Sequence, residues 1–217
     1  MKTVNFLHIP KTGGTAIKHV LKNKNKNYNI LLKTHDYTLV DVVNSNSYGI
    51  FILRDPIERF ISAFNSRLRK GQPRYNTTWT AFEEKLYNTY NTPNDLAENL
   101  YVNKFNFNLI NRLQQRIHFK NLSYWLNCID YVINNKEHIL YVGFLDTLNE
   151  DFNNIIKILK LDSNLKLPTD DINSHKTPNK YSKYLSDDAI KNLQILYKED
   201  LEFYTFFYNN KKMFNKM

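Results

Sequence analysis

The segment that most restricts the fold is a near-continuous apolar run, GIFIL at residues 49–53, which is followed almost at once by a helix start. A strand with no polar alternation is stable only when both of its faces are covered, as in the centre of a parallel sheet. Asp55 is a favourable N-cap, Pro56 fits the first helical position and Glu58 completes a capping box. The run therefore predicts a central parallel strand that leads directly into a helix.

The rest of the chain repeats this order of strand and helix. Strands are predicted at residues 4–9, 28–32 and 49–53, with helices at 15–21, 39–43 and after Asp55. Helical periods continue over 79–126, at 148–159 and from Ser186 to Leu201, with strands predicted at 131–133 and 139–143. Such alternation is typical of α/β proteins. We therefore predict an α/β fold in a single domain, residues 1–217, with a central parallel sheet flanked by helices.

Composition excludes several other classes of protein. A length of 217 residues suits one domain of about 100–200 residues, and a hydrophobic fraction of 42% is too high for a disordered chain. Because Cys128 is the only cysteine, an intramolecular disulfide framework and a thiolate zinc cluster are both excluded. No secretory h-region and no run of about 20 apolar residues occurs, so we expect a cytoplasmic protein without an integral membrane segment.

The chain carries a net charge of +9, with 30 Lys and Arg against 21 Asp and Glu. This balance favours an anionic partner such as a nucleotide, a nucleic acid, an acidic glycan or a membrane surface. The densest basic run, KNKNKN at residues 22–27, lacks the arginines and interleaved aromatics that contact bases. That run favours a solvated loop, and no nucleic-acid partner is predicted.

A glycine-containing loop, residues 8–16 (HIPKTGGTA), joins the first predicted strand to the first helix. Glycines let the backbone turn tightly, and the helix start behind them offers unpaired N–H groups to an anion. The order GxxxxGK[ST] is absent, so the loop is P-loop-like rather than a P-loop, and a purely structural turn is the alternative. Its predicted anion-binding residues are Lys11, Thr12, Gly13, Gly14 and Thr15.

A second candidate element begins at the end of the apolar strand. Arg54 sits where ligands bind in open α/β sheets, and Ser62 lies about two turns into the next helix. A guanidinium fork with a hydroxyl nearby suits a phosphate group. The alternative is that Arg54 only pairs with Asp55 or Glu58 at the surface.

Together these segments resemble a known family. Residues 11–15 after a strand, with residues 54–56 (RDP), Arg59 and Ser62, resemble the two signatures of PAPS-dependent sulfotransferases, most closely the heparan sulfate 2-O- and 6-O-sulfotransferases. The resemblance implies that the first loop holds the 5′-phosphosulfate of the donor. It also implies that Arg54 and Ser62 hold the donor's 3′-phosphate.

The resemblance also implies a catalytic histidine. His35 follows the second predicted strand, where related sulfotransferases place the base that deprotonates the acceptor hydroxyl. Imidazole can accept a proton at neutral pH because its ordinary pKa is near 6.5. His8 and His175 are competing candidates for the base.

Similarity to the family extends to the C-terminal third. Residues 141–148 resemble its strand-to-helix stretch, and residues 174–178 (SHKTP) resemble a basic loop that closes over the donor nucleotide. Lys176 is therefore a candidate donor contact, with a solvated loop as the alternative. Residues 71–128 match no family motif, and we predict that this helical insert shapes the acceptor site.

The function implied by the resemblance is in-line transfer of a sulfuryl group from PAPS to an acceptor hydroxyl on a glycan or glycolipid, leaving PAP. His35 would be the base, and Lys11 would stabilise charge on the leaving phosphate. No metal is implied, since neither an HExxH motif nor a cysteine cluster occurs. Two alternatives stay open: an ATP-dependent small-molecule kinase and a non-enzymatic module that binds polyanions.

Overall fold

The computed structural model describes residues 2–24, 27–101, 107–170, 172–174 and 176–215. Within those ranges the chain forms a parallel sheet of four strands in the order β2-β1-β3-β4. The apolar run lies in β3, which pairs with β1 on one side and β4 on the other, so the predicted central strand is confirmed. The strands are β1 (Thr3–Leu7), β2 (Asn29–Leu32), β3 (Ser47–Leu53) and β4 (Ile139–Phe144).

Helices connect and cover the strands, as predicted for an α/β domain. Those of the first half are α1 (Gly14–Leu21), α2 (Leu39–Val42), α3 (Pro56–Leu68), α4 (Ala81–Thr89), α5 (Pro93–Glu98) and α6 (Phe107–Gln114). Those of the second half are α7 (Ser123–Leu126), α8 (Ile129–Asn134), α9 (Leu148–Leu159), α10 (Asp187–Leu196), α11 (Lys198–Asn209) and α12 (Lys211–Phe214). Among the described residues, no helix is both long enough and apolar enough to cross a bilayer.

Three local predictions are wrong. The strand predicted at 131–133 is part of helix α8, where Val132 is fully buried and packing overrides the preference of a short β-branched run. The last helix is two helices, because Tyr197 leaves helical geometry and buries its ring beside Phe60. Glu58 makes no capping box. Instead its carboxylate pairs with Arg54, and the Asp55 side chain alone caps α3.

The sheet is buried on both faces, as its apolar central strand requires. Phe51 and Leu53 of β3 pack on one face with residues of α7, α11 and α12. Ile50 and Ile52 pack on the other face, against α1 and α9. A third apolar cluster joins α3 to α4, α5 and α10, so much of the predicted insert, residues 71–128, packs on the helix that follows β3.

The outer edge of β4 is covered by the C-terminal segment. The backbone N–H of Val142 donates to the Asn215 side-chain oxygen (3.0 Å). Phe214, one residue earlier, is fully buried in the same apolar cluster as Leu7 and Phe51. The last helices therefore complete the core that the first strand begins.

Candidate functional site

A cavity of about 960 Å³ lies at the carboxyl ends of the strands. Each strand is followed within three residues by a residue that lines it: His8 after β1, His35 after β2, Arg54 after β3 and Leu145 after β4. This edge is where open α/β sheets bind ligands. The predicted site residues that the structure brings to this cavity are Lys11, Gly13, Gly14, Thr15, His35, Arg54, Ser62 and Lys176.

The loop after β1 forms the floor of the cavity at the start of α1. Lys11 and Gly13 both have left-handed backbone angles, with φ of 68° and 84°. No side chain caps α1, so its first N–H groups are not used by a capping residue. Such a helix start attracts anions through its free N–H groups and its dipole.

Thr12 has a different place from its neighbours in the loop. Its hydroxyl donates to the Ile9 carbonyl oxygen (2.9 Å), and the residue is almost fully buried. The structure therefore does not place Thr12 on the cavity wall, because its hydroxyl is turned inward to hold the turn. A contact between Thr12 and the donor remains a prediction.

The two glycines of the loop are required for packing. A Cβ on Gly14 would lie 2.3 Å from Cδ2 of the His8 ring, which leaves no room for any side chain. A Cβ on Gly13 would lie 2.8 Å from Leu145, and the positive φ of Gly13 adds backbone strain for other residues. Gly14 thus allows His8 to sit against the start of α1.

The cavity wall beside the loop is strongly positive. Burial, together with repulsion from Arg69 and Arg54, lowers the pKa of Lys11 to about 7. One nitrogen of the Arg54 guanidinium lies 3.4 Å from the Lys11 carbonyl oxygen, which places both cations on the same wall. An anion bound between them would restore the charge of Lys11 and offset the repulsion.

The structure agrees in part with both interpretations of Arg54, as a phosphate-binding residue and as a surface ion-pair partner. Its guanidinium pairs with Glu58 at 3.0 Å, as the surface alternative stated, yet Arg54 and Glu58 both line the cavity. Glu58 is more than half exposed, so this pair is weak and can rearrange around a ligand. Ser62, two turns along α3, lines the cavity as well.

Hydrogen bonding fixes the ring of His35. Nδ1 of His35 lies 2.8 Å from the His8 carbonyl oxygen, which can only accept, so Nδ1 carries the proton and Nε2 is the basic nitrogen. Burial lowers the pKa of His35 below its ordinary value, and the neutral ring is therefore the main form at neutral pH. Trp125 of α7 donates to the His35 carbonyl oxygen (2.9 Å) and holds its backbone.

His8 is less suited to act as the base. Burial, repulsion from His35 and two nearby lysines hold the pKa of His8 well below its usual range. Its ring packs on His35 with the centroids 4.2 Å apart, and also against Gly14. His175, the third candidate, lies outside the described residues.

Sequence analysis missed His118, whose ring lies 6.1 Å from that of His35 and lines the same cavity. It also missed what holds His118. The fully buried Arg59 donates to the carbonyl oxygens of His118 and Lys120 and pairs with Asp200 at 3.0 Å. Asp200 in turn accepts the Leu122 N–H. No local motif marks His118, whereas Arg59 was named beside residues 54–56 (RDP) in the family resemblance without an assigned role.

The C-terminal wall of the cavity includes Lys176, which is exposed, and Lys183. Arg74 donates to Ile172 and Asn173 and so links this wall to the loop after α3. Within the described ranges, no group of three or more His, Cys, Asp or Glu side chains is placed to hold a metal ion.

Comparison with known proteins agrees with this arrangement. A profile described as Sulfotransferase family matches residues 2–207, nearly the whole chain. Searches of curated proteins and of solved structures returned no match. The matched range contains the glycine loop, the Arg54–Ser62 element and His35, and the chain belongs to the sulfotransferase family.

Proposed function

We propose that the protein transfers a sulfuryl group from PAPS to a hydroxyl of a carbohydrate acceptor, with His35 as general base. One observation carries the proposal: the ends of three neighbouring strands bring the glycine loop, Arg54 and His35 to a single cavity. A cavity of about 960 Å³ lies at the upper end of the usual range for ligand sites, which leaves room for a nucleotide and part of an acceptor.

The chain's own residues fit a donor with phosphates at two places. PAPS supplies the sulfuryl group and carries phosphates on its 5′ and 3′ positions. Lys11 and the first N–H groups of α1 would bind the 5′ end, and Arg54 with Ser62 would bind the 3′-phosphate. The lowered pKa of Lys11 supports this, since a buried cation among arginines is stabilised by an anionic ligand.

Proton transfer would be the task of His35. Because Nδ1 donates to the His8 carbonyl, Nε2 is the atom that would accept the acceptor's hydroxyl proton. Lys11 would compensate the negative charge that grows on the leaving phosphate oxygen. These two groups act on opposite ends of an in-line transfer and need no covalent intermediate.

The proposal is tested by thermal shift with three ligands: PAP, ATP with magnesium, and heparin. Stabilisation selective for PAP is the expected result, because PAP alone among the three ligands carries phosphates on both its 5′ and 3′ positions. Stabilisation selective for ATP with magnesium would support a kinase. Salt-sensitive stabilisation by heparin without any nucleotide effect would support a polyanion-binding module.

A variant of Arg54 distinguishes a specific contact with the 3′-phosphate from general attraction between the basic protein and an anion. We expect Arg54→Ala to weaken PAP binding by about tenfold or more, as befits the loss of a charge-assisted hydrogen bond. Arg112→Ala is the matched control, because Arg112 lies on α6 and does not line the cavity. Equal PAP affinity in the two variants would exclude Arg54 from the donor site.

A further inference from the structure

A second, shallow and open cleft, of about 520 Å³, lies outside the cavity described above. One wall is the end of α6 and the residue after it. Asn111, Gln114 and Gln115 stand at positions i, i+3 and i+4 and share one face, since the Gln115 N–H still donates to the Asn111 carbonyl oxygen (3.2 Å). The other wall is the segment after it, which contributes Lys120, Asn121 and Tyr124.

The side chains of this cleft have an unusual chemical bias. Four carry amides, and the described lining residues include no acidic side chain. Each amide offers both a donor and an acceptor, which matches the hydroxyl groups of a sugar, since these also do both. Gln114 already donates to Asn121 (2.9 Å), so the two walls are tied together in a fixed arrangement.

An aromatic side chain completes the cleft. Tyr124 is partly exposed there, and it meets Trp125 edge to face with 5.1 Å between the ring centroids. An exposed aromatic face binds the apolar face of a sugar ring while its hydroxyl stays available for hydrogen bonding. The Lys120 ammonium lies 3.3 Å from the Tyr124 centroid and occupies one face of the ring, so a sugar would stack on the opposite face or displace the ammonium.

The same short segment, residues 118–124, contributes lining residues to the cavity and to this cleft. His118 lines the cavity, and Asn121, three residues later, lines the cleft, so their Cα atoms are at most about 11 Å apart. The Arg59 guanidinium donates hydrogen bonds to the carbonyl oxygens of His118 and Lys120 and so holds this segment in place. Next to Tyr124, Trp125 donates to the backbone of His35.

We propose that this cleft is a subsite for a neutral sugar residue of the acceptor, next to the residue whose hydroxyl enters the cavity. The inference rests on the proposed function, because it assumes that the cavity receives an acceptor hydroxyl. It assigns the amide face of α6 and the Tyr124 ring to recognition of a longer saccharide chain.

Calorimetric binding in the presence of saturating PAP tests the subsite. The probes are neutral trisaccharides of glucose, galactose, mannose and N-acetylglucosamine, each compared with its monosaccharide. We expect at least one trisaccharide to bind about tenfold more tightly than its monosaccharide. Tyr124→Ala and Gln115→Ala should each remove most of that gain and leave PAP affinity unchanged.

Gln194→Ala is the matched control, since Gln194 is an exposed glutamine on α10 and does not line the cleft. The subsite proposal is overturned if the gain in affinity of the trisaccharide survives in both cleft variants. It is also overturned if none of the four sugars shows such a gain. In either case normal PAP binding would show that the donor site is intact. If the unmodified protein does not bind PAP selectively, the proposed function itself is overturned.

Discussion

The ionisation of Lys11 gives the sharpest prediction, because it makes donor binding depend on pH. The pKa of Lys11 is lowered to about 7 by burial and by the neighbouring Arg69 and Arg54. A bound phosphate stabilises the charged form and raises that pKa, so binding above neutral pH must take up a proton. Below neutral pH the lysine is already charged, and no proton is taken up.

The size of the effect follows from this pKa. With a free-protein pKa of about 7, the apparent Kd for PAP rises by a factor of 1 + 10^(pH−7), which is about tenfold between pH 6 and pH 8. At pH 8 each bound PAP should take up about 0.9 proton. Calorimetry in two buffers of different ionisation enthalpy measures both the affinity and this proton uptake.

Lys11→Arg is the control for this measurement, because an arginine remains charged throughout the range. The variant keeps a cation in the loop and retains only the titration of the PAP phosphates, whose second pKa is about 6. The difference between wild type and variant therefore isolates the lysine. Equal proton uptake by the two proteins at pH 8 would refute the assignment of an anion site to Lys11.

Three further predictions concern the reaction and the framework. His35→Ala should lower turnover by about 10²–10⁴-fold while PAP still binds, and on the acid side the wild-type kcat at saturating PAPS should fall only below pH 6.5, because burial lowers the pKa of His35. Gly14→Ala should lower the free energy of unfolding by about 1–3 kcal/mol through overlap with the His8 ring, and His8→Ala in the same chain should restore most of it. Asp200→Ala should cost about 3–5 kcal/mol in urea unfolding, because it leaves Arg59 buried without its carboxylate.

Each of these has a contrary outcome that a single measurement detects. Near-normal turnover of His35→Ala would remove it from the reaction. A Gly14→Ala protein as stable as wild type would mean that the His8 ring rotates away at no cost. An Asp200→Ala protein that unfolds at the wild-type urea concentration would show that the Arg59 guanidinium is satisfied by the carbonyls of His118 and Lys120 alone.

Much of the fold, and the placement of Lys11, His35 and Arg54 at one cavity, was predictable, because both depend on local patterns. The apolar run of β3 requires neighbours on both sides, and the carboxyl ends of parallel strands meet at one edge. Lys11, His35 and Arg54 follow three such strands, so they converge once the sheet is parallel. The start of α3 was predictable as well, because its Asp55 cap is also a local pattern.

What could not be predicted depends on contacts between distant segments. Arg59 and Asp200 are separated by 141 positions, and nothing local in either sequence indicates the other. Arg59 of that pair donates to the His118 carbonyl oxygen and so helps to hold His118 at the cavity. The error at residues 131–133 has a related cause, since a run of three apolar residues takes the geometry that its packing against the core demands.

The contribution of Phe214 to the central core has a consequence for synthesis of the chain. Leu7 and Phe51 emerge early from the ribosome, yet the side chains that cover them include Phe207 and Phe214. β4 likewise lacks its edge partner until Asn215 is present. During translation the growing chain therefore exposes an apolar sheet face and an open strand edge until residues 207–215 have been made, and both features promote association with other chains. A chaperone that shields these strands until residues 207–215 have emerged is expected to reduce that association.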